Sequence, residues 1–165
     1  MVIHLAKKKQ QKTNAARILD RLGIGYELKE YEVDESDLSA VHVAASVGMP
    51  IEQVYKTLVV RGDKTGILMA VIQGDLELDL KALAAASGNK RAEMVHLNEV
   101  FALTGYIRGG CSPLGAKKDY PVYIDERVQS QERIAVSAGK RGEQLFLAPA
   151  DLVAATKGTV ALIAR

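Results

Sequence analysis

Apolar positions along this chain change their period repeatedly, and each change marks the start or end of an element. Ala16, Leu19 and Leu22 recur at helical spacing behind Thr13, whose hydroxyl can cap free amides, and Gly23 supplies a left-handed stop, so "AARILDRL" is expected to be a helix. "YELKEYEV" (26 to 33) alternates as a strand, with an irregularity near Lys29 and Glu30. "LSAVHVAASVG" (38 to 48) reads as a second helix ended by Gly48 and Met49-Pro50, and Pro50 opens a short turn.

The two longest apolar runs, "YKTLVVRG" and "GILMAVIQG", are joined by "GDKTG", the composition of a hairpin turn. Beyond them lie a helix at 79 to 88 capped by Asp79, a short strand "AEMVHL" at 92 to 97, and a helix at 98 to 105 capped by Asn98 and stopped by Gly105. After the loop "YIRGGCSPLGAKKDYP" come strands at "VYIDE", "RIAVSAG" and "QLFLA", a helix from Pro149 to about Lys157, and a last strand "TVALIA". Strands and helices interleave without a regular βαβ repeat, which predicts one mixed α+β domain rather than a doubly wound sheet. No repeat or linker divides the chain, so residues 13–165 are expected to form the domain and residues 1–12, with "KKKQQK", a basic lead-in.

Composition acts mainly by exclusion. With 165 residues, 48% of them apolar, the chain can bury a substantial core. Its 22 basic and 20 acidic side chains leave a net charge of +2, too weak to announce a nucleic-acid protein, so any such surface must be local. One cysteine excludes an internal disulfide framework and suits a reducing compartment. No run approaches the roughly 20 apolar residues of a membrane span, and "MVIHLAKKKQQK" lacks the order of a signal peptide, which together point to a cytoplasmic protein without membrane contact.

Familiar catalytic kits are missing. His4, His42 and His96 are scattered, with no HExxH or CxxC, so neither a metal nor a cofactor is expected. Gly109, Gly110 and Gly115 do not match a P-loop or a dinucleotide fingerprint, Ser112 lacks the strand-turn-helix setting of a nucleophile elbow, and Cys111 reads best as a small packed thiol. Two readings remain for "GGCSP": a tight surface turn, or a backbone that approaches a ligand so that amides converge on developing negative charge. Two also remain for Lys56 in "VYKTLVV". Alternation sets it on the side of Val54, Leu58 and Val60, where an ammonium group needs acceptors or a cavity, unless it snorkels from a strand edge.

"VYKTLVV", "GYIRGGCSPLG" and "VSAGKRG", in that order, make the sequence resemble the YbaK family of editing deacylases, related to the inserted editing domain of bacterial prolyl-tRNA synthetases. The likeness begins around "AARILDRLGIGYELKEYEVD" and reaches the terminal strand, leaving residues 1 to about 12 outside. It implies a mixed sheet curled into a partial barrel with flanking helices. It implies hydrolysis of cysteine wrongly esterified to tRNA(Pro), and of Cys-tRNA(Cys), with the tRNA acceptor end as ligand and prolyl-tRNA synthetase as partner. Carried over by motif, Lys56, Gly109 and Gly110 are the catalytic residues, and Tyr31, Thr57, Ser112, Pro113, Ser137 and Gly139 bind substrate. Thr57 stands where alanine-editing relatives tend to have Asn, which favours the cysteine branch. Cys111 stands where relatives carry an aliphatic residue, and Gln144 where an acidic one can occur. Attack by the substrate's own thiol or by water would both satisfy the resemblance. An Ala-tRNA(Pro) deacylase and a non-catalytic module holding an aminoacyl or nucleotide-like ligand beside a synthetase are the competing functions.

Overall fold

The run "ILMAVI" is uninterrupted because its strand is covered on both faces. In the computed structural model, which describes residues 11–165, strand β3 (Gly66–Gln73) sends Met69 and Val71 into a first core and Leu68, Ala70 and Ile72 into a second. A strand with one wet face would alternate instead. Of the expected lead-in, residues 1–10 lie outside the described residues, as does His4.

Helix α1 (Asn14–Arg21) starts as its sequence demands, with the Thr13 hydroxyl accepting from the Ala16 amide, and buries Ala15, Ala16 and Leu19 in the first core. β1 (Glu27–Glu30) is shorter than the alternation suggested. It pairs antiparallel with β7 (Glu143–Leu147), and pairing continues only through the Tyr31 amide, which donates to the Gly142 carbonyl at 3.0 Å. Beyond it, the Asp34 carboxylate accepts from both the amide and the hydroxyl of Ser36 and closes a local turn. α2 (Ala40–Val47) is capped by the Ser39 hydroxyl and closed by left-handed Gly48, and a single 3₁₀ turn after Pro50 delivers the chain to β2 (Tyr55–Gly62).

β2 and β3 form the expected hairpin, with Lys56 opposite Ile72 and Gly62 opposite Gly66. α3 (Leu80–Ser87) is capped by Asp79 as expected and packs Leu83 on the second core. β4 (Ala92–Met94) is three residues rather than six, and α4 (Leu97–Thr104) begins one residue before the expected start. His96 occupies its N-cap without a side-chain hydrogen bond, so Asn98 is not the cap but lies in the first turn. β5 (Val122–Asp125), β6 (Ile134–Ser137), α5 (Pro149–Thr156) and β8 (Thr159–Ala161) complete the order. β8 stops short of the expected Ala164 because the amides of Ile163 and Ala164 both turn to the fully buried Asp125 carboxylate at 3.0 Å, which also meets the Arg127 guanidinium.

The strands make two sheets rather than one. A mixed sheet runs β4-β2-β3-β5-β8, and an antiparallel sheet runs β1-β7-β6. They touch through an isolated parallel bridge between Val54 and Ala135, so the expected partial barrel is present but does not close. That split sets the site. β2 is held to β6 just before its start at Val54, and to β4 only from Val60 onward, leaving the edge between them open.

Candidate active site

The open edge of β2 is the floor of a cleft of about 380 Å³. Lys56 and Thr57 come from β2, Ser137 and Gln144 from the ends of β6 and β7, and Arg108, Gly109 and Cys111 from the loop after α4. Ser39 and Ala40 bring the start of α2 to one side, and Met94, Leu97 and Val100 form an apolar flank on the other. An ammonium group and a glycine turn more than 50 residues apart in sequence therefore share one wall.

Lys56 lies on the same strand face as Leu58 and Val60, which pack on the second core, but its own side chain is half-buried in the cleft. Partial burial lowers its pKa below the ordinary 10.5, opposed by the charges of Asp75 and Glu77. No carboxylate among the described residues lies within salt-bridge distance of it. Thr57 faces the other way along β2, and its hydroxyl is buried with no hydrogen-bond partner among the described residues. Such an atom has lost water without gaining a replacement.

The glycine pair divides its duties. Residues 107–110 form a turn closed by the Gly110 amide donating to the Ile107 carbonyl at 2.9 Å, with Gly109 at the third position and φ at +83°. That conformation is the reason for glycine at 109. Gly109 lines the cleft and its amide finds no acceptor among the described residues, whereas Gly110 is buried with its amide spent in the turn. A Cβ on Gly110 would sit 3.1 Å from the Lys140 Cα, so its role here is close approach of two backbones.

Of the nine residues singled out from the sequence, Lys56, Thr57, Gly109 and Ser137 line the cleft. The other five stand behind or beside it. Tyr31 is tied by its amide to Gly142; Ser112 is fully buried, its hydroxyl accepting from the Leu114 amide at 3.3 Å; Pro113 is buried next to it; and Gly139 packs on the Tyr106 ring while its amide donates to the Ser137 hydroxyl at 3.1 Å. Gly139 thus holds Ser137 in place instead of facing the cleft. Burial pushes the Cys111 thiol up to about 12, which leaves it protonated and unreactive at neutral pH. The described residues hold no cluster of three metal-ligating side chains. Missed from the sequence were Arg108 and Arg141, where the Arg141 Nε donates to the Arg108 carbonyl at 2.8 Å, and the α2 start, whose apolar pattern resembles that of any surface helix.

An aminoacyl-tRNA editing domain model matches residues 35–155, which contain every residue of this cleft. The chain belongs to that editing family. It is 52% identical over 160 residues to the candidate Cys-tRNA(Pro)/Cys-tRNA(Cys) deacylase EbsC of Enterococcus faecalis, covering 96% of this chain and 98% of that protein. Proline--tRNA ligase of Shouchella clausii is 36% identical over 100 residues, 60% of this chain but 17% of the ligase. A solved structure of a candidate trans-editing enzyme for prolyl-tRNA synthetase superposes with a TM-score of 0.81 at 27% identity, covering 94% of this chain and 99% of that one. No helix among the described residues is long and apolar enough to cross a membrane.

Proposed function

We propose that this editing-family protein acts in trans in the cytoplasm as a deacylase that removes cysteine from mischarged tRNA(Pro), and from tRNA(Cys), alongside prolyl-tRNA synthetase. The observation that carries the reading is the meeting of Lys56, the unoccupied Gly109 amide and the unpartnered Thr57 hydroxyl in one cleft. The 52% identity to a candidate deacylase of the same specificity supports the choice of substrate.

The bond to be broken joins an aminoacyl carbonyl to the terminal ribose. Lys56, a compact cation with three donors, holds the terminal phosphate or ribose oxygens and so orients the ester. The Gly109 amide faces the oxyanion that forms when the carbonyl is attacked, and one such donor can contribute roughly 3 kcal/mol. With the Cys111 thiol held protonated by burial, the attacking group belongs to the substrate or to water. The cysteine thiol of the substrate can reach its own carbonyl, displacing the ribose oxygen, which leaves with a proton. In this reading the Thr57 hydroxyl holds that side chain.

A deacylation panel tests this, with Cys, Ala, Ser and Pro each charged on tRNA(Pro) and Cys also on tRNA(Cys). Fast release from the cysteinyl esters, reduced at least about a hundredfold by Lys56→Ala in a folded variant, is expected. Equal rates for Ala and Cys would end the thiol-assisted route, and stoichiometric binding without release of amino acid would make the protein a binding module.

A further inference from the structure

A second groove, of about 580 Å³, opens where β2 ends, and nothing in the deacylation chemistry uses it. Arg61, Lys81, Lys90 and Arg91 line it, against the carboxylates of Asp63 and Glu93, and Lys64 stands on the adjoining hairpin tip. Arg61 is already paired with Glu99 at 2.9 Å. Lys64, Lys81, Lys90 and Arg91 are exposed and have no carboxylate within salt-bridge distance among the described residues. On a chain of net charge +2, four uncommitted cations at one end are a local concentration.

Two polar knots hold these cations on rigid backbone. Asn89 is buried between the hairpin tip and the end of α3. Its Oδ1 accepts from the amides of Lys64 at 2.8 Å and Thr65 at 3.0 Å, and its Nδ2 donates to the hydroxyls of Thr65 at 3.0 Å and Ser87 at 2.7 Å. The Asp63 Oδ1 accepts from the amides of Lys90 at 2.9 Å and Arg91 at 3.1 Å, so this carboxylate is engaged by backbone rather than by the lysines. Gly62 permits the closure, since a Cβ there would clash with the Asn89 side-chain carboxamide.

The groove and the cleft are consecutive along the same two strands. On β4, Ala92 and Glu93 line the groove and Met94 lines the cleft, as does Val95 just after it; on β2, Lys56 and Arg61 are five residues apart, roughly 16 Å of strand. Met94, which lines the cleft, is three residues from Arg91, which lines the groove, so one polyanion with its end seated in the cleft can meet both.

We infer that this groove binds the phosphate backbone of the tRNA acceptor stem while the aminoacylated end occupies the cleft. The inference rests on the deacylase reading for the identity of the nucleic acid. Backbone contact of this kind positions the substrate without reading its sequence, and leaves the choice of tRNA to another component.

The test compares the full chain with a Lys81→Ala, Lys90→Ala, Arg91→Ala triple variant on Cys-tRNA(Pro) and on the cysteinyl ester of a CCA trinucleotide. For tRNA, KM is expected to rise roughly tenfold or more at unchanged kcat, with the slope of log(kcat/KM) against log salt reduced by about three. For the trinucleotide, both constants should match those of the unaltered protein. An unchanged KM and salt slope on tRNA would overturn the inference while leaving the deacylase reading intact. So would a defect seen only when prolyl-tRNA synthetase is added, which would make the groove a protein contact. If the unaltered protein hydrolyses neither ester, the deacylase reading falls. Affinity for uncharged tRNA then decides the groove separately, and equal affinity of the triple variant and the unaltered protein would overturn it.

Discussion

The Arg141 guanidinium donates through Nε to the Arg108 carbonyl at 2.8 Å, tying the turn that carries Gly109 to the β6–β7 hairpin that carries Ser137. Two walls of the cleft are joined by this one side chain. Arg141→Ala is expected to lower kcat on Cys-tRNA(Pro) several-fold with little change in KM, because the Gly109 amide loses its fixed aim, and to cost about 1 kcal/mol of stability. Steady-state kinetics beside a thermal melt would check it. A variant that melts earlier yet keeps its kcat would mean that the strap has no bearing on chemistry.

Gly109 and Gly110 should fail differently. Gly109 needs its positive φ, a conformation that Asn adopts more readily than other side chains, and a Cβ there would meet Leu38 at only 3.4 Å. Gly109→Asn is therefore expected to keep activity within a few-fold, while Gly109→Val, β-branched in a left-handed turn, should lose it. Gly110→Ala presses a methyl group against the backbone of Lys140 and Arg141, at 3.1 and 3.2 Å, which cannot swing aside. It is expected to lower Tm and kcat together. Wild-type values of both for Gly110→Ala would show that the two loops separate at no cost.

What was legible in the sequence was local. Thr13 and Asp79 announced helix starts because a cap acts within three residues, and "ILMAVI" announced a strand covered twice because burial leaves no polar position to interrupt it. The helix start at Leu97 was misplaced because Asn98 is the better cap in isolation, yet the backbone leaves β4 early enough to put His96 there. β8 ended early for a reason 38 residues away in sequence, the buried Asp125. In the site, Lys56 and Gly109 could be suspected from motif, but that Gly110 and Ser112 face away depends on which loop packs behind them. Arg141 reaching Arg108 is a contact across 33 positions that no periodicity encodes.

Lys56 makes the protein's stability depend on pH in a calculable direction. Its folded pKa lies below 10.5, so between that lowered value and 10.5 the unfolded chain holds a proton the native chain has released. Stability from this group therefore rises with pH through that window and is poorest below it, where the charged form is half-buried. Lys56→Met should melt no lower than the wild type at pH 7, with any gap narrowing toward pH 10, while deacylation is lost. The wild-type kcat/KM, corrected for hydroxide cleavage, should fall on an alkaline limb centred below 10.5. A profile that keeps rising through that limb would mean the ammonium form is not the working one.

Thr57 offers the sharpest separation of stability from selectivity. A buried hydroxyl without a partner costs on the order of 1 to 3 kcal/mol, and this one, on a residue that lines the cleft, has none among the described residues. A fold that needed only to fill the space would use valine, which has the same shape. Thr57→Val is accordingly expected to raise Tm, by a few degrees for about 1 kcal/mol in a chain of this size. The same change should lower kcat/KM for Cys-tRNA(Pro) and narrow its advantage over Ala-tRNA(Pro), because the substrate thiol loses the group that fixes it. Thr57→Ser, which keeps the hydroxyl and gives up a methyl group, should do the reverse, retaining the Cys-to-Ala ratio while melting earlier. The two ratios, measured on the same tRNA preparation, decide the matter: a valine variant as selective as the wild type would show that the hydroxyl is merely tolerated and that selection for cysteine lies elsewhere in the cleft.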